Sequence, residues 1–255
     1  MVPQICGTFP PRPRICPQSK NASKIQTLLL EFTPFINAQD MPSRLEQIVE
    51  LLHATPDAAL ASHSASIPGY PFATALAFVP DQHHRPVFLI SRLAEHTQNI
   101  AADARASLMV RKPSASANFA RATLVGSVAP VDSDPLLVRR YLRYQPEAER
   151  FLEIGDFRFF RLVPQRIRLI GGFGQAGWLE GKALLDAPAL SLEEEAEVLA
   201  ASAETLPAGI SLLGIDAYGF DYLRGQGRER ASFGAGPVLA ASIAATLSRK
   251  LSRLS

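Results

Sequence analysis

A regular pattern of hydrophobic and polar positions begins near residue 41, in the stretch MPSRLEQIVELLHA. Leu45, Ile48, Val49 and Leu52 recur at intervals of three and four residues, which is the spacing of one face of an amphipathic helix. The Pro and Ser before this run are common where a helix starts. The sequence therefore predicts a helix at the beginning of the regular part of the chain.

Short apolar or alternating runs follow, and they predict strands. These runs are DAALASHS, FATALAFV, VFLIS, ASLMV and ARATLVGSVAPV, with the turn-forming stretches SASIPGYP and PDQHHRP between the first three. We expect a bulge or a close backbone approach at Gly126, and two further strands that are separated at Pro164. About six strands with few long helices are typical of a β-barrel.

Two helices are expected among these strands. One is polar and spans residues 93–102. The other lies in DSDPLLVRRYLRYQ, where Asp132 and Asp134 are candidates for the N-cap and Pro135 suits the first turn.

Composition divides the chain into three parts. Residues 1–40 are rich in Pro and Arg without periodicity, so we expect a disordered tail or a start codon placed too early. Residues 41–180 carry the barrel pattern, and GKALLDAPAL is a predicted linker. Residues 190–255 predict a small C-terminal α+β domain, which contains a capping box at Ser191 and Glu194, three short strands and a final amphipathic helix.

Bulk composition excludes several classes of protein. The chain has 255 residues and is 47% hydrophobic, so it can bury a sizeable core. Its 26 basic and 24 acidic residues nearly balance, which argues against a nucleic-acid-binding protein. No apolar run is long enough to cross a bilayer, so no membrane partner is expected. Both cysteines, Cys6 and Cys16, lie in the tail, and a cytoplasmic location fits best.

Several motifs that resemble sites are better explained by ordinary structure. GGFGQAG contains GxGxxG at Gly172, Gly174 and Gly177, but no βαβ unit surrounds it, so we interpret it as a turn that lets Phe173 and Trp178 pack. His83 and His84 are adjacent in a turn and are expected to be exposed. His53 and His63 have no partner at a recognisable spacing, so no metal site and no nucleophilic catalysis is predicted.

The polar junction in FLISRLAEHTQN is the strongest candidate site. A helix N-terminus offers free N–H groups to an anion. Ser91 and Thr97 can donate hydroxyl hydrogen bonds, Arg92 can bind an anion in a bidentate manner, and His96 charges near neutral pH. A helix cap with a solvated face explains the same residues, and spacing alone slightly favours this cap.

The order of three segments resembles the haem-utilisation branch of the pyridoxamine 5′-phosphate oxidase-like split β-barrels. The segments are FLISRLAEHTQNIAADARASLMV, ARATLVGSV and RYLRYQPEAERFLEIGDFRFFRLVPQRIRLIGGFGQAGWL, and the resemblance covers roughly Ala58 to Trp178. The stretch GIDAYGFDYLRG more loosely resembles the small C-terminal domain often attached to these barrels. The resemblance implies a mainly β fold with α: a split β-barrel of the FMN-binding type plus a small C-terminal α+β domain.

The resemblance also implies a homodimer with cofactor sites at the subunit interface. By analogy with flavin-binding relatives, the FMN phosphate would meet the strand–helix junction, and a polar contact would come from the next long strand. In haem-binding relatives, an arginine of that strand meets the haem and a C-terminal histidine ligates iron. All five histidines here lie at or before His96, so such ligation is not expected. The implied cofactor-binding residues are Ser91, Arg92, His96, Thr97, Asn99 and Arg121.

Three hypotheses remain. The first is an FMN-dependent oxidoreductase, in which the flavin performs the chemistry and the protein orients it. The second is a haem-binding or haem-degrading protein, with propionates at Arg121 or Arg92. The third is a non-catalytic dimeric barrel. The intact basic junction disfavours the third, and the missing histidine disfavours the second, so FMN is the expected cofactor and haem the alternative.

Overall fold

The computed structural model describes residues 42–112, 120–171 and 176–254. The predicted tail, and Gly172 to Gly174 of the glycine motif, lie outside these residues. The first helix, α1, spans Arg44–Ala54 and begins at Ser43, whose side chain forms a reciprocal capping box with Glu46. Its buried face includes Ile48, Val49 and Leu52, as the spacing predicts.

Eight strands form one antiparallel sheet within the described residues, in the order β2-β1-β5-β6-β7-β4-β3, with β8 paired to the far part of β7. The long strand β7 joins the two halves, since it pairs with β4 over its first five residues and with β8 over its last five. The strands are β1 (Asp57–His63), β2 (Pro71–Ala77), β3 (Val79–Pro80), β4 (Pro86–Ser91), β5 (Arg105–Arg111), β6 (Arg121–Pro130), β7 (Phe157–Ile170) and β8 (Ala176–Glu180).

The irregularity expected at Gly126 is confirmed, because the β6–β7 register shifts between Val125 and Gly126. A Cβ atom at Gly126 would overlap the carbonyl oxygen of Val163. The expected break at Pro164 is wrong, since β7 continues through it. Pro164 pairs with Gly126 at the shifted position, and lies between the residues of β7 that pair with β4 and those that pair with β8. A bulge is one of the few places where a sheet accepts proline.

In the described residues, three further helices lie in the connections between the barrel strands. The polar helix α2 spans Glu95–Ala102, and α3 spans Pro135–Tyr144 with Asp134 as its N-cap. A 3₁₀ turn at Pro146–Ala148 leads into α4, Glu149–Glu153.

The C-terminal part has its own three-stranded sheet, in the order β11-β10-β9. The capping box predicted at Ser191 and Glu194 is present. The expected linker instead contains a short helix and buries Leu184 and Leu190, because its apolar side chains join the core. The elements are α5 (Gly181–Leu185), α6 (Leu192–Ser202), a 3₁₀ turn (Ala203–Thr205), β9 (Ile210–Ile215), β10 (Gly219–Arg224), β11 (Gly227–Ser232) and α7 (Ala240–Leu251).

The two faces of the barrel sheet differ in what they contact. The inner face buries Leu60, Leu108 and Leu124 completely against α1 and the other strands. Each such leucine contributes roughly 2 kcal/mol by leaving water. The outer face leaves Met109 and Val125 exposed by 36% and 41%. This architecture confirms the expected fold class, a mainly β curled sheet with helices and a small α+β unit.

None of the helices in the described ranges is both long enough and apolar enough to span a membrane.

Candidate functional site

The predicted junction is organised around Asp156, which directly precedes β7. The hydroxyl of Ser91 donates to the Asp156 carboxylate, and the Nε atom of Arg92 lies 3.4 Å from its other oxygen. The backbone N–H of Arg92 also donates to the Asp156 carbonyl at 3.1 Å. A carboxylate therefore lies beside the two groups that were expected to bind a phosphate.

Thr97 and Asn99 are buried and connect α2 to the sheet. Thr97 donates its hydroxyl to the carbonyl of Ser91 at 2.6 Å. The Asn99 side-chain oxygen accepts from the backbone N–H of Ala65 at 2.8 Å, and its amide nitrogen lies 3.3 Å from the Ser62 hydroxyl. Thr97 thus holds α2 to the end of β4, and Asn99 holds it against the β1–β2 hairpin. Neither is a cap on a solvated face, because both side chains are buried and the N-cap residue, Ala94, makes no side-chain hydrogen bond.

His96 is partly buried in the same helix. Burial lowers its pKa, and its Nε2 atom has no hydrogen-bond partner among the residues that the structure describes. A lowered pKa leaves His96 neutral at neutral pH, so it lacks the positive charge expected of an anion-binding residue.

Arg121 does not join this junction within one chain. Ser91 pairs with Phe157 at the start of β7, whereas Arg121 pairs with Ile170 at its end. The two residues therefore lie at opposite ends of a 14-residue strand. Ser91, Arg92, His96, Thr97 and Asn99 form one group, and Arg121 belongs to another.

The second group is a cluster of basic side chains on the outer face of the sheet, here called the arginine face. Arg121 on β6 lies directly opposite Arg111 on β5. Thr123, two residues further along β6, lies opposite Arg168 of β7, which in turn lies opposite Trp178 of β8. The arginine face consists of Arg111, Arg121, Arg166, Arg168 and Trp178.

Trp178 is the aromatic member of the arginine face. The Cζ atoms of Arg166 and Arg168 lie 4.8 and 5.5 Å from its ring centroid. Its side chain is 46% exposed, so the expectation that it packs in a turn is wrong. The alternation of arginine with buried Ile167 and Leu169 in RIRLI was the sequence signal for these outward-facing arginines.

A buried polar cluster lies between α1 and the C-terminal sheet. The Nδ1 atom of His53 lies 2.7 Å from Asp221, and its Nε2 atom lies 3.0 Å from Nδ1 of His84. Arg230 binds Asp221 at 3.0 Å and Asp216 at 2.9 Å. The spacing of these residues in the sequence did not indicate the cluster, because they lie far apart in the chain.

The expectation that His84 is exposed is wrong, since the side chain is completely buried. Its φ angle of 59° turns the side chain into the protein, and Asp81 holds the turn by accepting the backbone N–H groups of His83 and Arg85. Burial lowers the pKa of His84 to about 3, against an opposing effect of Asp216. His84 is therefore neutral at physiological pH.

The carboxylates of the cluster stay ionised. Burial opposes their ionisation, but Arg230 and His53 hold the pKa values of Asp216 and Asp221 well below the usual range. Donor atoms of His53, His84 and Asp216 lie within 4.8 Å of one another, as in some metal sites. Asp216, however, already accepts from Arg230 and from the backbone N–H of Tyr218. The cluster is thus a hydrogen-bonded connection between barrel and C-terminal sheet.

The barrel part of the chain matches a known protein family. Residues 48–185 match the model of the CREG β-barrel family. The chain belongs to this family. This match confirms the resemblance to split β-barrels that the sequence motifs indicated.

Two curated relatives match the barrel part of the chain. One is a chloroplastic protein of Arabidopsis thaliana named non-canonical heme oxygenase HOZ, which is 30% identical over 136 residues. The match covers 52% of this chain but 42% of that protein, so the chain spans less than half of its length. The other is the heme oxygenase HutZ of Vibrio cholerae, 30% identical over 127 residues, covering 46% of this chain and 72% of that protein.

A solved structure extends the likeness over most of the chain. It is a heme binding protein from Mycobacterium smegmatis, with 26% identity and a TM-score of 0.54. The alignment covers 84% of this chain and 99% of that protein.

Proposed function

We propose that this protein binds haem through its arginine face and acts as a haem-binding or haem-degrading protein. The match to the Vibrio cholerae heme oxygenase carries the proposal, because this chain covers 72% of that protein at 30% identity. The Mycobacterium smegmatis heme binding protein supports it over nearly its full length.

The chemistry of the arginine face supports the same ligand. Haem combines an apolar macrocycle with two carboxylates on one edge. Arg121 lies opposite Arg111 on the outer sheet face, and arginine binds carboxylates in a bidentate manner. Further along this face, Met109 and Val125 expose apolar surface that can cover part of the ring. The residues present therefore fit the propionates and an apolar ligand.

The iron is not assigned a protein ligand. His53 and His84 are buried together, and His96 lies in α2 at the other end of β7. His63 is the last residue of β1, and His83 lies in the β3–β4 turn. All five histidines fall within the described ranges and none belongs to the arginine face, so the proposal rests on contacts to the propionates and the ring.

We further propose that two copies of the chain form a homodimer over the outer face of the sheet, with the haem held between the two copies. Met109, Val125 and Val163 are exposed by 36%, 41% and 36% on this face, which is a large apolar contribution for a solvated sheet surface. Light scattering of the purified protein tests this proposal: a mass of one chain at micromolar concentration would contradict it.

FMN binding stays a prediction and is the weaker candidate. Asp156 accepts from Ser91 and lies beside Arg92, so a phosphate placed there would meet a carboxylate. Like charges at such distances repel each other.

Haem titration tests the proposed function. Haemin added to the purified protein should give a saturable Soret band, and Arg121→Ala should weaken the affinity. Arg158→Ala is a matched control, since Arg158 is an exposed arginine in the first part of β7, at the opposite end of this strand from the residue that pairs with Arg121. Loss of the band under a reductant and oxygen, with release of iron, would show degradation. Saturable binding of FMN without any haem binding would contradict the proposal.

A further inference from the structure

We propose that Arg168 is a second propionate-binding residue and that Trp178 positions it. This inference rests on the proposed haem-binding function and adds a specific contact to it. Arg168 and Trp178 face each other across the β7–β8 ladder, next to the strand that carries Arg121.

The register places Arg121 and Arg168 at a spacing suited to two carboxylates. Arg121 pairs with Ile170, and Arg168 is two residues from Ile170 on the same side of β7. Arg121 and Arg168 are thus diagonal neighbours, about 7–8 Å apart between Cα atoms. Haem propionates are adjacent substituents on one edge of the macrocycle. Each arginine can therefore take one propionate while the ring lies against the sheet.

Arg168 and Arg166, two residues apart on β7, differ in whether an acidic side chain neutralises their charge. Arg166 forms an ion pair with Glu180, with Nε and Oε1 at 3.2 Å. Arg168 makes no ion pair with a carboxylate in residues 42–112, 120–171 and 176–254, and its ring contact is with Trp178. A ligand carboxylate meets no competing acidic side chain of these ranges at Arg168, whereas at Arg166 it has to displace Glu180.

Trp178 acts as a positioning residue. The guanidinium of Arg168 lies over the indole ring, and this cation–π contact restricts a side chain that otherwise has many rotamers. An arginine that is already held in place loses less conformational entropy when it binds an anion. Trp178 is also the only tryptophan of the chain, so its fluorescence reports directly on ligands at the arginine face.

A comparison of two ligands separates charge recognition from a structural effect. The probes are haemin and its dimethyl ester, which has the same macrocycle without the carboxylates. Arg168→Ala should weaken haemin binding by about 10-fold or more, as expected for a lost charge-assisted hydrogen bond, and should leave the ester unaffected. Arg158→Ala is the matched control, because Arg158 is an exposed arginine at the other end of β7 and outside the arginine face, and it should change neither affinity appreciably.

Two tryptophan variants test the positioning role. Trp178→Phe keeps an aromatic face and should retain most of the haemin affinity, whereas Trp178→Ala should weaken haemin binding several-fold without affecting the ester. Haemin should quench the fluorescence of the wild-type protein in proportion to occupancy.

The outcomes also separate this inference from the proposed function. If haemin binds, Arg121→Ala weakens it and Arg168→Ala does not, the proposed function holds and the role of Arg168 is refuted. Equal losses for haemin and the ester in Arg168→Ala would show a structural effect, and would also refute it. Absence of haemin binding by the wild-type protein would overturn both.

Discussion

The Nε2 atom of His53 lies 3.0 Å from Nδ1 of His84, and this contact joins the first helix of the barrel to the turn between β3 and β4. On its other side His53 donates to Asp221 of the C-terminal sheet, since a carboxylate only accepts. Two histidines from distant positions therefore complete a chain of hydrogen bonds across the interior. The burial of His84 makes the stability of the fold depend on pH.

The first prediction is that stability falls below pH 6.5 because of His84. Its folded-state pKa is about 3, against 6.5 for the free side chain. The unfolded chain therefore binds a proton at His84 as pH drops below 6.5, while the folded protein does not. The contribution of His84 to the free energy of unfolding is fully present above pH 6.5 and is lost progressively as the pH falls towards 3. Between pH 7.5 and 5 the loss should be roughly 2 kcal/mol, measured by urea denaturation.

The variant His84→Asn isolates this effect. Asparagine tolerates a positive φ angle and does not titrate, so the variant should lose stability at pH 7.5 but show a smaller slope with pH. Gln82→Asn, in the same turn, exchanges two side chains that do not titrate and should keep the wild-type slope. If the C2–H resonance of His84 in the wild-type protein titrates between pH 8 and 5, the assigned burial effect is wrong.

The second prediction concerns Asp221, which is completely buried. It accepts from Tyr144 at 2.6 Å, from His53 at 2.7 Å and from Arg230 at 3.0 Å. Asp221→Asn removes one of the two buried carboxylates that pair with Arg230 and introduces an NH₂ group that cannot accept from these donors, so it should cost about 2–3 kcal/mol. Urea denaturation at pH 7.5 should show this loss in the free energy of unfolding. Glu229→Gln, an ion-pair partner of Arg224 at a largely exposed position, should cost far less.

Local patterns predicted most of the secondary structure, because their physical causes are local. The capping box at Ser191 and Glu194 and the N-cap at Asp134 depend on neighbouring backbone groups, and both are present. Pro164 shows the limit of this reasoning. Proline normally ends a strand, but here it meets a bulge opposite Gly126, and that pairing depends on the tertiary register.

The candidate sites were predictable only in part, because they also depend on the tertiary register and on contacts between distant residues. Arg121 was assigned by resemblance, but its neighbour Arg168 is brought beside it by the β6–β7 register. The burial of His84 depends on one positive φ angle and on contacts with helix α1. Asp156 is 65 positions from Ser91, and no spacing rule connects it to the junction.

The third prediction is that Gly126→Ala disrupts the barrel. A Cβ atom at this position would overlap the carbonyl oxygen of Val163, which belongs to the backbone and cannot rotate away. The loss of stability should be about 3 kcal/mol or more, visible as a lower midpoint in urea. Gly227→Ala is the control, because its Cβ would lie 3.5 Å from the nearest atom, the carbonyl oxygen of Arg224. A Gly126→Ala protein as stable as this control would show that the sheet can relax at the bulge.

The fourth prediction decides which end of β7 holds the anionic ligand. If the arginine face binds haem, the double variant Arg92→Ala, His96→Ala should bind haemin like the wild-type protein, because both residues lie at the opposite end of the strand. Arg121→Ala should lower haemin affinity by about 10-fold or more, since a charge-assisted contact is lost.

The converse measurement uses Asp156→Asn with FMN as the ligand. The asparagine side chain would keep a hydrogen-bonding oxygen beside Ser91 but would remove the negative charge that repels a phosphate. FMN affinity should therefore rise in this variant if the junction can hold a phosphate at all. Haemin affinity should not respond, because the change is remote from Arg121. A loss of haemin binding in the Arg92, His96 double variant, with none in Arg121→Ala, would move the site to the junction and contradict the assignment to the arginine face.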